Sequence, residues 1–113
     1  MADRITSERK NDLCNLLALY LPALRAKAGF SQDDLVDRLG FTRQTISAIE
    51  NEKREMQWST FTAMTLFFSR DREIMELMVV MGIIDSSVDE LLNVEKRVLA
   101  IVRSTKCRIN VLY

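Results

Sequence analysis

The sequence predicts an all-α fold, and three observations carry that reading. Only three glycines and one proline occur in 113 residues, few breakers for a chain of this length. Leu, Ala and Met, all good helix formers, are abundant. Apolar residues recur at spacings of three and four along most of the chain, which is a helical period. With 48% apolar and 28% charged residues, the chain can bury a core and does not resemble a disordered one. Its length suits one domain, or one domain with an extension.

The elements follow in order. Thr6 or Ser7 can cap a helix running from about Glu8 toward Lys27, with Leu13, Leu16, Leu17, Tyr20, Leu21 and Leu24 on its apolar face. Pro22 lies inside this stretch, where it withholds a backbone donor and crowds the preceding turn. Either the helix kinks there or a new one starts there; the kink is the preferred reading. Gly29 ends the helix. Ser31, with Asp34 three residues on, forms a capping-box-like start for a helix over Gln32–Leu39, with Leu35, Val36 and Leu39 inward. Gly40 closes it, Phe41 and Thr42 make the turn, and Thr42 caps a helix from Arg43 to about Glu50 or Asn51. After the polar stretch 51–55, Ser59 starts a helix rich in apolar bulk, Phe61, Met64, Leu66, Phe67 and Phe68. Asp71 caps the next, where Ile74, Leu77, Met78 and Met81 repeat at helical spacing before Gly82. A last helix is expected from Val88 to about Ser104, with Ser87 and Glu90 as its capping pair. The alternation of Cys107, Ile109, Val111 and Tyr113 is a weak sign of a short strand.

Composition narrows the function. Sixteen basic and sixteen acidic residues give no net charge, so any nucleic-acid surface must be local. There is no histidine, which removes the commonest general base and zinc ligand. No acid pair at catalytic spacing, Gly-rich phosphate loop or metal cluster is visible, so neither an enzyme nor a cofactor or metal site is expected. Cys14 and Cys107 form no CxxC pair and are read as reduced, semi-buried thiols of a cytoplasmic protein. No apolar run long enough to span a membrane and no signal-like h-region is found.

The informative segment is LRAKAGFSQDDLVDRLGFTRQTISAIENEKREMQWSTFTAMTLFFS, residues 24–69. Two short helices around Gly40-Phe41-Thr42 make a helix-turn-helix, since the chain must fold back tightly at a residue without a β-carbon. Leu35, Leu39, Ile46 and Ile49 can lock the two together. At 100° per residue, Ile46 and Ile49 set the buried direction of the second helix. Gln44 and Asn51 then point outward, flanked by Ser47 and Ala48, with Arg43 and Thr45 at the borders. This face is polar, slim and carries one charge. Amides and a guanidinium can make bidentate contacts to base edges, small residues permit close approach, and Ala48 can touch a thymine methyl. Free N–H groups at the Ser31-Gln32 helix start would suit a phosphate.

SQDDLVDRLGFTRQTISAIEN, preceded by LRAKAG, resembles the phage-repressor-like helix-turn-helix family, also called the Cro/C1 or XRE family. The resemblance covers about 45 residues in the middle of the chain. It implies a five-helix lambda-repressor-like DNA-binding domain, here with an extra C-terminal helix, and a partner in double-stranded DNA. It also implies roles. Arg43, Gln44 and Ala48 fall on base-reading positions, with Thr45 and Ser47 reaching bases or backbone. Gln32 would contact a phosphate and orient the first residues of the recognition helix; Ser31 and Thr42 lie with it at the backbone. Asn51, Lys53 and Arg54 fall in the loop that grips the sugar-phosphate chain. Arg25 and Glu50 match an internal salt bridge. Three positions depart from the pattern. Val36 replaces the usual Ala, Glu52 replaces Gly after Glu-Asn, and Trp58 stands where Pro is common. A β-carbon at a left-handed position costs about 1 kcal/mol, unless Asn51 adopts that conformation instead of Glu52.

Residues 31–54 hold four basic side chains (Arg38, Arg43, Lys53, Arg54) against five acidic ones (Asp33, Asp34, Asp37, Glu50, Glu52), so one module should bind DNA modestly and two copies on one site are expected. The organisation is read as a DNA-binding domain over 1–83, with its motif at 31–51, and a C-terminal helical extension over 84–113. Leu91, Val94, Val98 and Ile101 form a stripe that either packs on its own domain or dimerises, the second being preferred. The five basic residues between 95 and 108 either add phosphate contacts or solubilise that face. The N-terminal extension is left without a role. The aromatic and Met run of 61–81 is read as core rather than as a ligand pocket. Trp58 is read as a core or edge anchor; Arg54 is either a phosphate contact or a plain solvated charge. The function expected is a sequence-specific transcriptional regulator, by default a repressor. The alternative is a protein-interaction module such as the antitoxin of a toxin–antitoxin pair, with a protein partner.

Overall fold

A computed structural model describes residues 5–93. Five helices follow one another: α1 (Ser7–Ala28), α2 (Gln32–Leu39), α3 (Arg43–Glu50), α4 (Trp58–Phe68) and α5 (Arg72–Val80). A sixth, α6, is described over 86–93. No strand occurs among the described residues, and none of their helices is long and apolar enough to cross a membrane. The strand expected near the C-terminus, Cys107, and the stripe residues Val94, Val98 and Ile101 lie outside the described residues.

Local chemistry sets the boundaries. The Thr6 side chain accepts from the Arg9 N–H at 3.1 Å and starts α1, which runs unbroken through Pro22. The new helix start considered at Pro22 is absent. At the other end the Phe30 N–H reaches back to the Arg25 carbonyl at 2.8 Å, closing the helix around Gly29. Ser31 and Asp34 make a full capping box on α2. Gly40 has φ of 77° and its N–H bonds the Val36 carbonyl at 2.9 Å, so the tight turn into α3 uses the left-handed conformation that a β-carbon disfavours. Asp71 caps α5 through the N–H groups of Glu73 and Ile74.

Two boundaries differ from the sequence reading. Helix α4 starts at Trp58, with Gln57 before it supplying no side-chain cap, rather than at Ser59. Asp85, not Ser87, caps α6: its Oδ1 accepts from the Val88 N–H at 2.9 Å. Arg9 donates to the other oxygen at 2.8 Å, tying the start of α1 to the start of α6.

One core unites the helices. Leu13, Leu17, Leu21 and Leu24 of α1 are sealed, as are Leu35, Ile46, Phe61, Met64 and Met78. Ile49 and Phe68 keep only about a fiftieth of their surface. Ile83, Ile84, Val88 and Leu92 join the same core, so the chain passes residue 84 through packed interior. Leu91 is half-buried. Trp58 is an edge anchor, stacked on Phe61 at 4.7 Å with the Lys10 ammonium 5.4 Å over its ring. The aromatic and Met residues of α4 and α5 are core. Burial pushes the Cys14 thiol up to about 11, so it is an inert core residue.

Candidate nucleic-acid interface

The α2–turn–α3 unit is held by one part-buried ionic knot. Arg25, on the last turn of α1, donates through Nε to Glu50 Oε2 at 2.6 Å and through Nη2 to Oε1 at 2.8 Å. Its third donor, Nη1, caps the Phe30 carbonyl at 3.0 Å. One guanidinium thus joins the end of α1, the α1–α2 turn and the end of α3. The side chains are 16% and 6% exposed. Hydrogen bonds donated to Glu50 hold the Arg25 proton more tightly than usual, outweighing the opposing effect of burial. Gln32 completes the knot, donating Nε2 to Glu50 Oε1 at 2.9 Å.

Above this knot lies the outer side of α3. Ile46 and Ile49 point inward. Arg43, Gln44 and Asn51 are exposed, while Ser47 and Ala48 are half-buried. These five residues and Lys53 line one shallow open depression. No other described segment covers it. The face contains amide donors and acceptors, one hydroxyl, one methyl and one guanidinium. That set can match base edges in a major groove, which admits an α-helix.

Several side chains are already committed to neighbours. Ser31 is a cap: its N–H donates to Asp34 Oδ2 at 2.8 Å and its hydroxyl accepts from the Asp34 N–H at 3.0 Å. The free N–H expected at Ser31 is therefore taken, because the capping box satisfies it within the helix. Hydrogen bonding to Ser31, first to its backbone N–H and then to its side chain, holds the Asp34 carboxyl below the usual range. Thr42 accepts from the Thr45 N–H at 3.1 Å and donates its hydroxyl to Thr45 Oγ1 at 2.8 Å. Arg54 Nη1 donates to the same Thr45 oxygen at 3.2 Å, tying this loop side chain to α3. Asn51 Nδ2 meets Ser47 Oγ at 3.3 Å. Arg43 Nη1 lies 3.6 Å from Asp33 Oδ1.

Glu52, rather than Asn51, takes the left-handed conformation after α3, with φ of 60°; it is the single non-glycine residue with positive φ among those described. This lets the Lys53 N–H close on the Ala48 carbonyl at 2.8 Å. With Glu50 paired to Arg25, which lies outside the segment, residues 31–54 keep Arg38, Arg43, Lys53 and Arg54 against Asp33, Asp34, Asp37 and Glu52. The local balance around α3 is thus more favourable to a polyanion than the segment's sequence count.

The links of Asp33 with Arg43, Gln32 with Glu50, and Arg54 with Thr45 escaped the sequence reading. Each joins residues nine or more apart through side-chain geometry that no spacing rule encodes. The cap at Asp85 did have a signal, an Asp three residues before Val88, but Ser87 with Glu90 offered a competing pattern.

Comparison with curated proteins and with solved structures gave no significant match. A family model described as a helix-turn-helix domain matches residues 16–76, from the first half of α1 into α5. That span is more than half of the chain and contains every residue of the exposed α3 face, so the chain belongs to the helix-turn-helix domain family.

Proposed function

We propose that this chain is a sequence-specific DNA-binding regulator of transcription, of the phage-repressor-like kind that its motif resembles. It inserts α3 into the major groove as a homodimer and represses by occluding polymerase, in the cytoplasm. The observation that carries the reading is the open side of α3: Arg43, Gln44, Ser47, Ala48 and Asn51 share one uncovered depression on a helix otherwise locked into the core. A helix exposed only for solubility ordinarily carries more charge there.

In this reading Arg43, Gln44 and Ala48 read bases, and Ser47 and Asn51 support them along the groove. Lys53 and Arg54 contact phosphates. Thr45 serves mainly to hold Arg54. The near-balanced charge of one module makes two half-sites necessary for useful affinity. The stripe begun by Leu91 supplies the dimer contact. The test is selection of bound sites from random duplexes, together with the solution mass. A palindromic consensus and a dimer mass are expected. Recovery of no enriched sequence, with the protein folded, refutes the reading. Gln44→Ala should then cost about 1–3 kcal/mol at one base pair. An equal loss on all sequences would argue against direct base recognition by Gln44.

A further inference from the structure

The resemblance assigned to Gln32 the task of orienting the start of α3. In this chain the Gln32 amide is instead bonded through Nε2 to Glu50 Oε1 at 2.9 Å, beside the part-buried Arg25 knot. The residue of α2 that meets Arg43 is Asp33, with Oδ1 3.6 Å from Nη1 and both side chains 67% exposed. In water such a pair contributes little to stability, so it is not there to hold the fold. A carboxylate at the rim of a surface meant for phosphates is also unfavourable by itself. Both facts make sense if the pair acts during binding.

Arginine carries five N–H donors in a rigid fork on a flexible stem. Free in solvent, it must give up rotamer freedom to meet a base edge. A carboxylate on one edge of the guanidinium limits that freedom and leaves another edge for two acceptors side by side. Guanine presents such a pair, O6 and N7, in the major groove. As the interface closes and water leaves, the attraction between Asp33 and Arg43 strengthens.

Resting on the function proposed above, we propose that Asp33 is a positioning residue: it orients Arg43 toward a guanine edge, so selectivity at one base pair depends on an α2 side chain that touches no base. The experiment compares wild type, Asp33→Asn, Arg43→Ala and the double variant on duplexes that differ from the selected site at one base pair each. Wild type should favour guanine at the Arg43 position by about 5- to 150-fold. Asp33→Asn should narrow that preference to about threefold or less. It should leave other positions unchanged and bind unrelated DNA at least as well as wild type, because a negative charge is gone. In the Arg43→Ala background, Asp33→Asn should change no base preference.

A purely electrostatic or helix-capping role for Asp33 would move affinity for all duplexes by one factor. That result, or narrowing at a position Arg43→Ala does not affect, overturns the proposal while leaving the DNA-reading function standing. If wild type enriches no sequence, that function fails and the proposal falls with it.

Discussion

Arg25→Met should unfold the motif's foundation more than any surface change. The substitution keeps an unbranched apolar stem but deletes three hydrogen bonds, at 2.6, 2.8 and 3.0 Å. Glu50, with 6% of its side chain exposed, is left with the Gln32 amide as its partner among the described residues. Breaking a buried pair by removing one member costs about 3–5 kcal/mol. The Gln32 bond remains and Arg25 itself is 16% exposed, so the lower end, about 3 kcal/mol, is appropriate here. In a domain of this size that is a fall of roughly 12–24 °C in Tm. Urea unfolding followed by helical circular dichroism measures it directly. The double variant Arg25→Met, Glu50→Met should recover more than half of the loss, since no uncompensated charge stays behind. A loss below about 1 kcal/mol for the single variant would make this an ordinary surface bridge and refute the reasoning. Additive losses in the double variant would refute it equally.

Other outcomes follow from particular residues. Glu52→Gly relieves left-handed strain of about 1–2 kcal/mol but frees the unfolded chain by about 0.4–1, so a net gain of roughly 0.5–1 kcal/mol is expected by urea unfolding. Removing that negative charge beside α3 should also tighten binding to unrelated duplexes at low salt. Thr65 is sealed, and its hydroxyl finds no partner among the described residues. Thr65→Val should therefore raise the urea midpoint, by about 1 kcal/mol of stability, and a loss would reveal a hydrogen bond there. Burial pushes Asp85 up, but the Val88 N–H and Arg9 outweigh it and hold the carboxyl below its ordinary value. Its folded value lies below the unfolded value of about 3.9, so its stabilisation is present above that pH and is lost as pH falls through the folded value. Asp85→Asn should accordingly flatten the acid limb of a stability-against-pH curve, leaving a residual slope from groups such as Asp34; an unchanged limb would contradict this.

Much of the fold was legible because helix ends are governed by near neighbours. Thr6, Ser31, Thr42 and Asp71 each cap within three residues, and Gly29 and Gly40 stop the helices they follow. The inward residues of α3 were equally readable, since Ile46 and Ile49 fix one direction at 100° per residue. Where two local patterns competed, the sequence did not choose correctly. The start of α4 was placed at Ser59, one residue late, and Ser87 displaced Asp85 as the cap of α6. In the second case the Asp85 carboxylate is also held by Arg9, 76 residues away.

Taken alone, the sequence determined the helical class, the turn at Gly40 and the polar side of α3, because periodicity and capping act over a few residues. Tertiary structure decided which of those polar groups remain available. Gln32 is used by Glu50, Thr45 by Arg54, and Arg43 has Asp33 beside it. These commitments depend on where side chains from separate segments meet within about 3–4 Å, a property of packing that residue spacing does not specify.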